Sequence, residues 1–355
     1  MKVSTAGISQ LQYVINKISM KKIVLSLLVS CLFFSCAEKN TEVQRISNQT
    51  YDVVSDSIYT RMPGTILYQD GIVYWEDPIS FEKFVHAVDV KAKSEIASFA
   101  NMGEGPDDFS VANLSLSLNG GLFINDSNKP LEILYKVDGI SVVSSSRKYN
   151  HDTRATSLLH LDGDEILYLC PNDENLFCVN KGGASEHSFG ERPIKDEMSN
   201  AYNVFQGKMA YHASKNMLVY SSFNFPYLSV YKRSGAGAWS QAKELKGDCN
   251  YTVSEGKLRF ASDGKKGAME LALTDDYIVL LQRDVETEGS LSKDETKGRN
   301  VASLPRSLFV YDYDLNLKKI INMPFPMLRL CGDEATNTVY AMSVNPEFEL
   351  ISIEL

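Results

Sequence analysis

From Tyr51 to Leu355 apolar and polar positions alternate in short runs cut by Asp, Asn and Gly, and no stretch keeps the 3.6-residue period of a long amphipathic helix. The pattern predicts strands throughout. One hairpin recurs in the first half: Thr65 to Trp75, Leu114 to Asn125 and Ser157 to Leu169, with Asp70-Gly71, Asn119-Gly120 and Asp162-Gly163 at the turns. These dipeptides tolerate the positive φ angles that a tight hairpin needs, so the same chemistry returns at the same place. The second half keeps the frame with altered turns, in Lys208 to Tyr220, Met269 to Leu281 and Met327 to Met342. Ile72, Leu122, Ile166, Leu218, Ile278 and Val339 are equivalent positions, at steps of roughly 44 to 61 residues, the size of a propeller blade with variable loops.

A third strand is expected after each hairpin, at Phe84–Val88, Leu131–Tyr135, Leu176–Val179, Tyr227–Tyr231, Ser307–Tyr311 and Phe348–Ile353, and a weaker fourth after the first five, as in Ser94–Phe99 and Leu317–Ile321. The sixth unit runs out of chain at Leu355. Tyr51–Ile58 belongs to no other unit, so it supplies the missing outer strand and closes the ring, which removes exposed sheet edges. The expected fold is all-β: a six-bladed β-propeller over residues 51–355, with four-stranded blades and an N-terminal strand completing the last. An open solenoid is the alternative.

The N-terminus follows a different logic. Met20-Lys21-Lys22 precedes an apolar run, Ile23 to Phe34, too short for the roughly 20 residues that span a bilayer core. Residues 1–35 therefore read as a signal peptide, and Met20 as the true start. Ser35-Cys36 ends the run and polar residues follow at once, so Cys36 is the acylation candidate. The segment resembles the lipobox of bacterial lipoproteins, in which an aliphatic and two small residues precede the modified cysteine. Phe33 and Phe34 are bulkier than that pattern, which leaves a cleaved non-lipid signal or an uncleaved anchor as alternatives. Two or more acyl chains anchor stably, each buried methylene contributing about 0.8 kcal/mol. Residues 36–50, polar and without apolar periodicity, read as a lipidated N-terminus and flexible tether.

Composition adds exclusions more than identities. With 44% hydrophobic and 23% charged residues the chain is ordinary for a globular domain, and a formal charge of −9 without basic clusters argues against a nucleic-acid partner. Outside the signal region Cys170, Cys178, Cys249 and Cys331 lack metal spacing; four free thiols are the default expectation, with a Cys170–Cys178 bridge compatible with their neighbouring strands. His86, His151, His160, His187 and His212 form no zinc or catalytic-dyad pattern, and no nucleophile elbow or phosphate loop appears. His160 and His212 fall at similar places in first strands and read as satisfied strand histidines. Neither a cofactor, a metal nor a catalytic residue is expected.

Gly103-Glu-Gly-Pro-Asp-Asp-Phe109 stands between the first two units. With the leader and six hairpins, it resembles the TolB-like six-bladed propeller lipoproteins of Gram-negative bacteria, where a Gly-x-Gly-Pro-Gly-Glu-aromatic segment holds this place; Asp107 and Asp108 depart from it. The resemblance implies the fold and export, not an activity. Propeller ligands generally sit at the channel mouth on the face carrying the blade-to-blade and second-to-third-strand connections. That face would carry Glu76-Asp77, Asn172–Glu174, Asn224–Tyr227 and the insertion from Arg283 to Arg306, with Glu104, Asp107, Asp126, Tyr227 and Arg283 as the first ligand-binding candidates. Calcium at Glu104 and Asp107 would suit their oxygen chemistry but lacks a calcium-loop spacing. Glu286 to Gly298 reads as a mobile excursion.

The function expected is a membrane-tethered, monomeric binding or scaffold propeller of the cell envelope, at the outer membrane and facing the periplasm or the cell surface, that recognises a protein or glycan. Two alternatives stand beside it: an envelope lyase or hydrolase with carboxylates at the channel mouth, and a structural subunit of an envelope complex.

Overall fold

Strand alternation and tight turns produce the sheets the pattern predicts. In the computed structural model the described residues are 43–80, 82–148, 157–162, 165–171, 174–181, 185–261, 264–290 and 300–355. The signal peptide, Met20, Cys36, His151, Gly163, residues 172–173 and residues 291–299 of the blade-five excursion lie outside them. Two short strands come first, β1 (Gln44–Ile46) and β2 (Asp52–Ser55). Blade one follows as β3 (Ile66–Gln69), β4 (Ile72–Glu76), β5 (Lys83–Asp89) and β6 (Ser94–Asn101), and blade two as β7 (Ala112–Leu116), β8 (Leu122–Asp126), β9 (Leu131–Asp138) and β10 (Ser141–Lys148). Blade three holds β11 (Leu158–His160), β12 (Glu165–Leu169), β13 (Asn175–Lys181) and β14 (Ser185–Glu191); blade four holds β15 (Gly207–His212), β16 (Met217–Ser222), β17 (Tyr227–Arg233) and β18 (Trp239–Lys246). A hairpin, β19 (Tyr251–Ser254) and β20 (Lys257–Phe260), separates these from blade five, β21 (Glu270–Leu273), β22 (Tyr277–Gln282), β23 (Ser307–Asp312) and β24 (Leu317–Asn322), and from blade six, β25 (Met327–Gly332), β26 (Thr338–Val344) and β27 (Phe348–Glu354).

Each blade is an antiparallel meander in sequence order, and the first strands β3, β7, β11, β15, β21 and β25 neighbour one another around the ring, β25 meeting β3. This is a closed six-bladed propeller. All six predicted hairpins and third strands are present. Asp70 and Gly71 adopt φ values of 52° and 84°, as a two-residue hairpin turn requires. The ring closes as predicted, β2 pairing antiparallel with β27. That strand is shorter than expected, however: it ends at Ser55 and leaves Asp56 and Ser57 exposed.

Three features depart from the sequence reading. The expected tether over residues 36–50 is interrupted by β1, which adds to blade five as a fifth strand, parallel to β24, with Arg45 opposite Ile320. Arg45 secures it through ion pairs with Asp284 and, at 2.7 Å, Glu286. The hairpin β19–β20 is additional; Tyr251 and Phe260 pack on the core shared by blades three and four. Cys170 and Cys178 form a disulfide rather than two free thiols, while Cys249 and Cys331 stay reduced.

Burial concentrates between blades. Val85, Phe109, Leu122 and Ile124 fill the space between blades one and two, and Val279, Leu308, Val339 and Ile351 the space between five and six. Every blade thus contributes one strand face to each of two cores, which is how a ring of sheets buries both sides of every strand. No helix among the described residues is long and apolar enough to cross a membrane.

Candidate functional site at one mouth of the channel

The first strands enclose a central cavity of about 460 Å³, lined among others by Thr65, Tyr68, Asn113, Ser115, His160, Tyr211 and Glu270. On the face that carries the blade-to-blade connections, which we call the entry face, it meets a bowl of about 620 Å³; Thr65, Glu76, Lys208 and Glu270 line both. Four charged side chains from four blades converge there. Glu270, first residue of β21, is held between Lys208 Nζ at 3.0 Å and Arg329 Nη1 at 3.3 Å. Arg329 Nε also donates to the Gly64 carbonyl at 2.7 Å, crossing from blade six to the entrance of blade one.

Glu76, the last residue of β4, completes the group. Its carboxylate accepts the Thr65 N–H at 2.9 Å. Burial pushes its carboxyl above the usual range, while the Thr65 donors and the charges of Arg329 and Lys208 pull the other way. Lys208, Glu270 and Arg329 stand on the innermost first strands, and Glu76 joins them from the end of the second strand of blade one, where it pairs with Thr65. Glu270 and Glu76 are nearly buried, and Lys208 and Arg329 keep about a quarter of their side-chain surface exposed (28% and 24%), so the cations border solvent and the acids lie behind them.

The candidates drawn from the sequence lie elsewhere on the entry face, and none lines either cavity. Glu104 and Asp107 are exposed on the loop between blades one and two. That loop is a built turn: Lys129 Nζ donates to the carbonyls of Gly103 and Asp108, and Asp108 Oδ2 accepts the Gly105 N–H at 3.0 Å. A Cβ at Gly105 would stand 2.5 Å from that oxygen, so any other residue there would displace the Asp108 carboxylate from the turn. Asp126 is fully buried and receives the N–H groups of Ser110, Val111, Asn128 and Lys129. Burial would raise its carboxyl, but these donors outweigh burial and hold it below the usual carboxylate range. Asp126 is the clasp that fixes the loop.

Tyr227 is buried, its hydroxyl donating to Glu244 Oε2 at 3.2 Å, and burial raises its phenol. Arg283 donates to the carbonyls of Ser303 and Glu288 and braces the base of the blade-five insertion. These two and Asp126 are thus engaged by neighbours within the fold. Among the described residues of the entry-face segments named from sequence, Glu76 is the one that reaches the channel mouth.

Both first-strand histidines are buried. His160 Nε2 meets Glu132 Oε2 of blade two at 2.8 Å and its ring stacks on Phe123 with centroids 4.0 Å apart. His212 lies at the opposite rim, where burial lowers its imidazole to about 4 and keeps it neutral. Nearby Glu334 accepts the Ala213 N–H, and burial raises its carboxyl to about 7. Among the described residues no group of three or more His, Cys, Asp or Glu is placed to hold a metal ion.

A family model described as TolB-like 6-blade propeller-like matches residues 43–334. Among solved structures, a protein from Bacteroides fragilis described as exported is similar in fold, with a TM-score of 0.56 at 9% identity, covering 88% of this chain and 98% of its own. A member of the DUF4221 family from Bacteroides vulgatus aligns with a TM-score of 0.54 at 11% identity, covering 87% of this chain and 94% of its own. No curated protein matches the sequence.

Proposed function

The chain belongs to the TolB-like 6-blade propeller-like family, and from that premise we propose that it is a binding propeller of the cell envelope, held at a membrane by a lipid on Cys36, that takes its partner at the entry-face mouth. The observation that carries this reading is the convergence of Glu76, Lys208, Glu270 and Arg329 from blades one, four, five and six onto one cavity opening. Charged groups rarely accumulate at low exposure without mutual pairing, and here the pairing leaves donors at the rim. The leader ending in Ser35-Cys36 supports export and anchoring, and the segment left between Cys36 and β1 is only residues 37–43.

Replacing Glu270→Gln together with Arg329→Gln removes one acid and one cation at once and leaves Lys208, at the solvent border, to balance buried Glu76. The expected result is loss of envelope material crosslinked and captured by the wild-type protein, with the melting temperature kept within a few degrees. Equal capture by wild type and variant would refute the mouth as the binding surface. Cys36→Ser is expected to move the protein from the membrane fraction to the soluble fraction while its circular dichroism spectrum stays unchanged; retention on the membrane would refute the lipid anchor.

A further inference from the structure

We propose that the entry-face mouth receives the terminal one or two units of an uncharged glycan, an inference that rests on the reading of this mouth as a binding site. Charge balance is the first argument. At the mouth itself two carboxylates, Glu76 and Glu270, face two cations, Lys208 and Arg329, and a third cation, Lys266, lines the bowl from its exposed side. The quartet at the cavity opening sums to zero and its acids and cations are already paired, so an ion passing Lys266 into the cavity would have to displace a partner already in place.

Hydroxyl groups suit it better. Each hydroxyl donates one hydrogen and accepts two, so adjacent hydroxyls on a sugar ring donate to a carboxylate and accept from an ammonium or guanidinium at once. Both bonds are charge-assisted and short. The cations have capacity for this: Lys208 carries three donors and pairs with Glu270, and Arg329 Nη2 makes no hydrogen bond to a described residue while Nε and Nη1 are engaged.

The second argument is shape. Behind the quartet lies the cavity of about 460 Å³, within the 300–1,000 Å³ range usual for small-ligand sites. Its entrance is polar through Thr65, Asn113 and Ser157. The ring of first strands closes it on all sides, so a polymer enters end-first and an internal segment lying across the face does not fit. Recognition is therefore of a chain end.

Saturation-transfer NMR with glucose, galactose, mannose and N-acetylglucosamine, each at millimolar concentration against the full chain, tests this. At least one neutral sugar is expected to receive saturation from the wild-type protein. The Glu270→Gln/Arg329→Gln variant should reduce the signal at least tenfold, and Lys208→Gln, which removes one cation at the rim, several-fold, both with an unchanged melting temperature. Three results would overturn the proposal: no transfer to any of the four sugars, transfer that persists in the double variant, or stronger transfer to glucuronate than to glucose. If sugars fail while capture of envelope material still depends on the double variant, the glycan assignment falls and the binding mouth stands.

Discussion

The two faces of blade three are built on opposite principles. Toward blade four, Phe177, Leu218, Tyr220 and Tyr231 are buried with Phe205 and Phe225; Phe177 meets Tyr220 and Tyr231 edge-on at centroid distances of 5.5 and 5.2 Å. Toward blade two, the buried apolar cluster is Leu158, Ile166, Tyr168 and Cys178 with Cys170 beside it, and His160 crosses the gap to bond Glu132 and Ser115 while its ring stacks on Phe123. Asn125, opposite Glu132 in the blade-two ladder, is fully buried as well. Repeats that look alike in sequence thus close the ring by unlike means. An aromatic core gains from burial in proportion to area, whereas a buried hydrogen-bonded polar pair is worth little net and is costly to break. The Cys170–Cys178 disulfide sits in the blade whose polar face has the smaller core.

Breaking the aromatic side should cost most. Phe177→Ala is expected to lower unfolding stability by about 3–5 kcal/mol, measured by urea denaturation. Removing both cysteines, Cys170→Ala with Cys178→Ala, frees a short loop of sequence separation 8 and should cost about 2.5 kcal/mol. Glu132→Ala strands His160 without its carboxylate and should cost about 1–3 kcal/mol. Replacing the pair together, Glu132→Leu with His160→Phe, is expected to be near neutral in the same assay. A double replacement as costly as Phe177→Ala would mean that the polar face holds the ring as firmly as the aromatic one.

The smallest effect concerns the other buried histidine, at the rim near blade five, and is absent at neutral pH. His212 has an imidazole lowered from 6.5 to about 4, chiefly by burial, so the stability it contributes is whole above pH 6.5 and is lost as pH falls toward 4. His212→Gln should flatten that part of the stability profile. A slope that survives the substitution would assign it to other groups.

Much of the fold is legible in sequence because propeller blades advertise themselves locally. Asp70-Gly71 and its equivalents mark turns, and apolar alternation marks the strands between them. The β19–β20 hairpin left a signal too, since Glu255 and Gly256 both take positive φ between two alternating runs, but it fell outside the repeat. Strand β1 gave none: three residues carry no alternation, and its place is decided by Arg45 finding Asp284 across 239 positions. The channel mouth was legible only at Glu76. Its four members come from separate blades, Glu76 and Arg329 lying at opposite ends of the folded chain, so no linear spacing connects them. Polar loop residues such as Asp126 attracted attention by their chemistry, yet that chemistry is spent on holding the loops that carry them.

Strand β1 also sets the order in which the molecule would yield to force. A pull from its N-terminal side reaches the β1–β24 ladder and the Arg45 ion pairs first, before the β2–β27 ladder that locks the ring. Where such a load runs along the strand axis, the β1–β24 hydrogen bonds carry it together in shear instead of unzipping singly. Under such a load the extra strand would serve as a strain relief, a sacrificial splice that slips while the disc behind it stays shut.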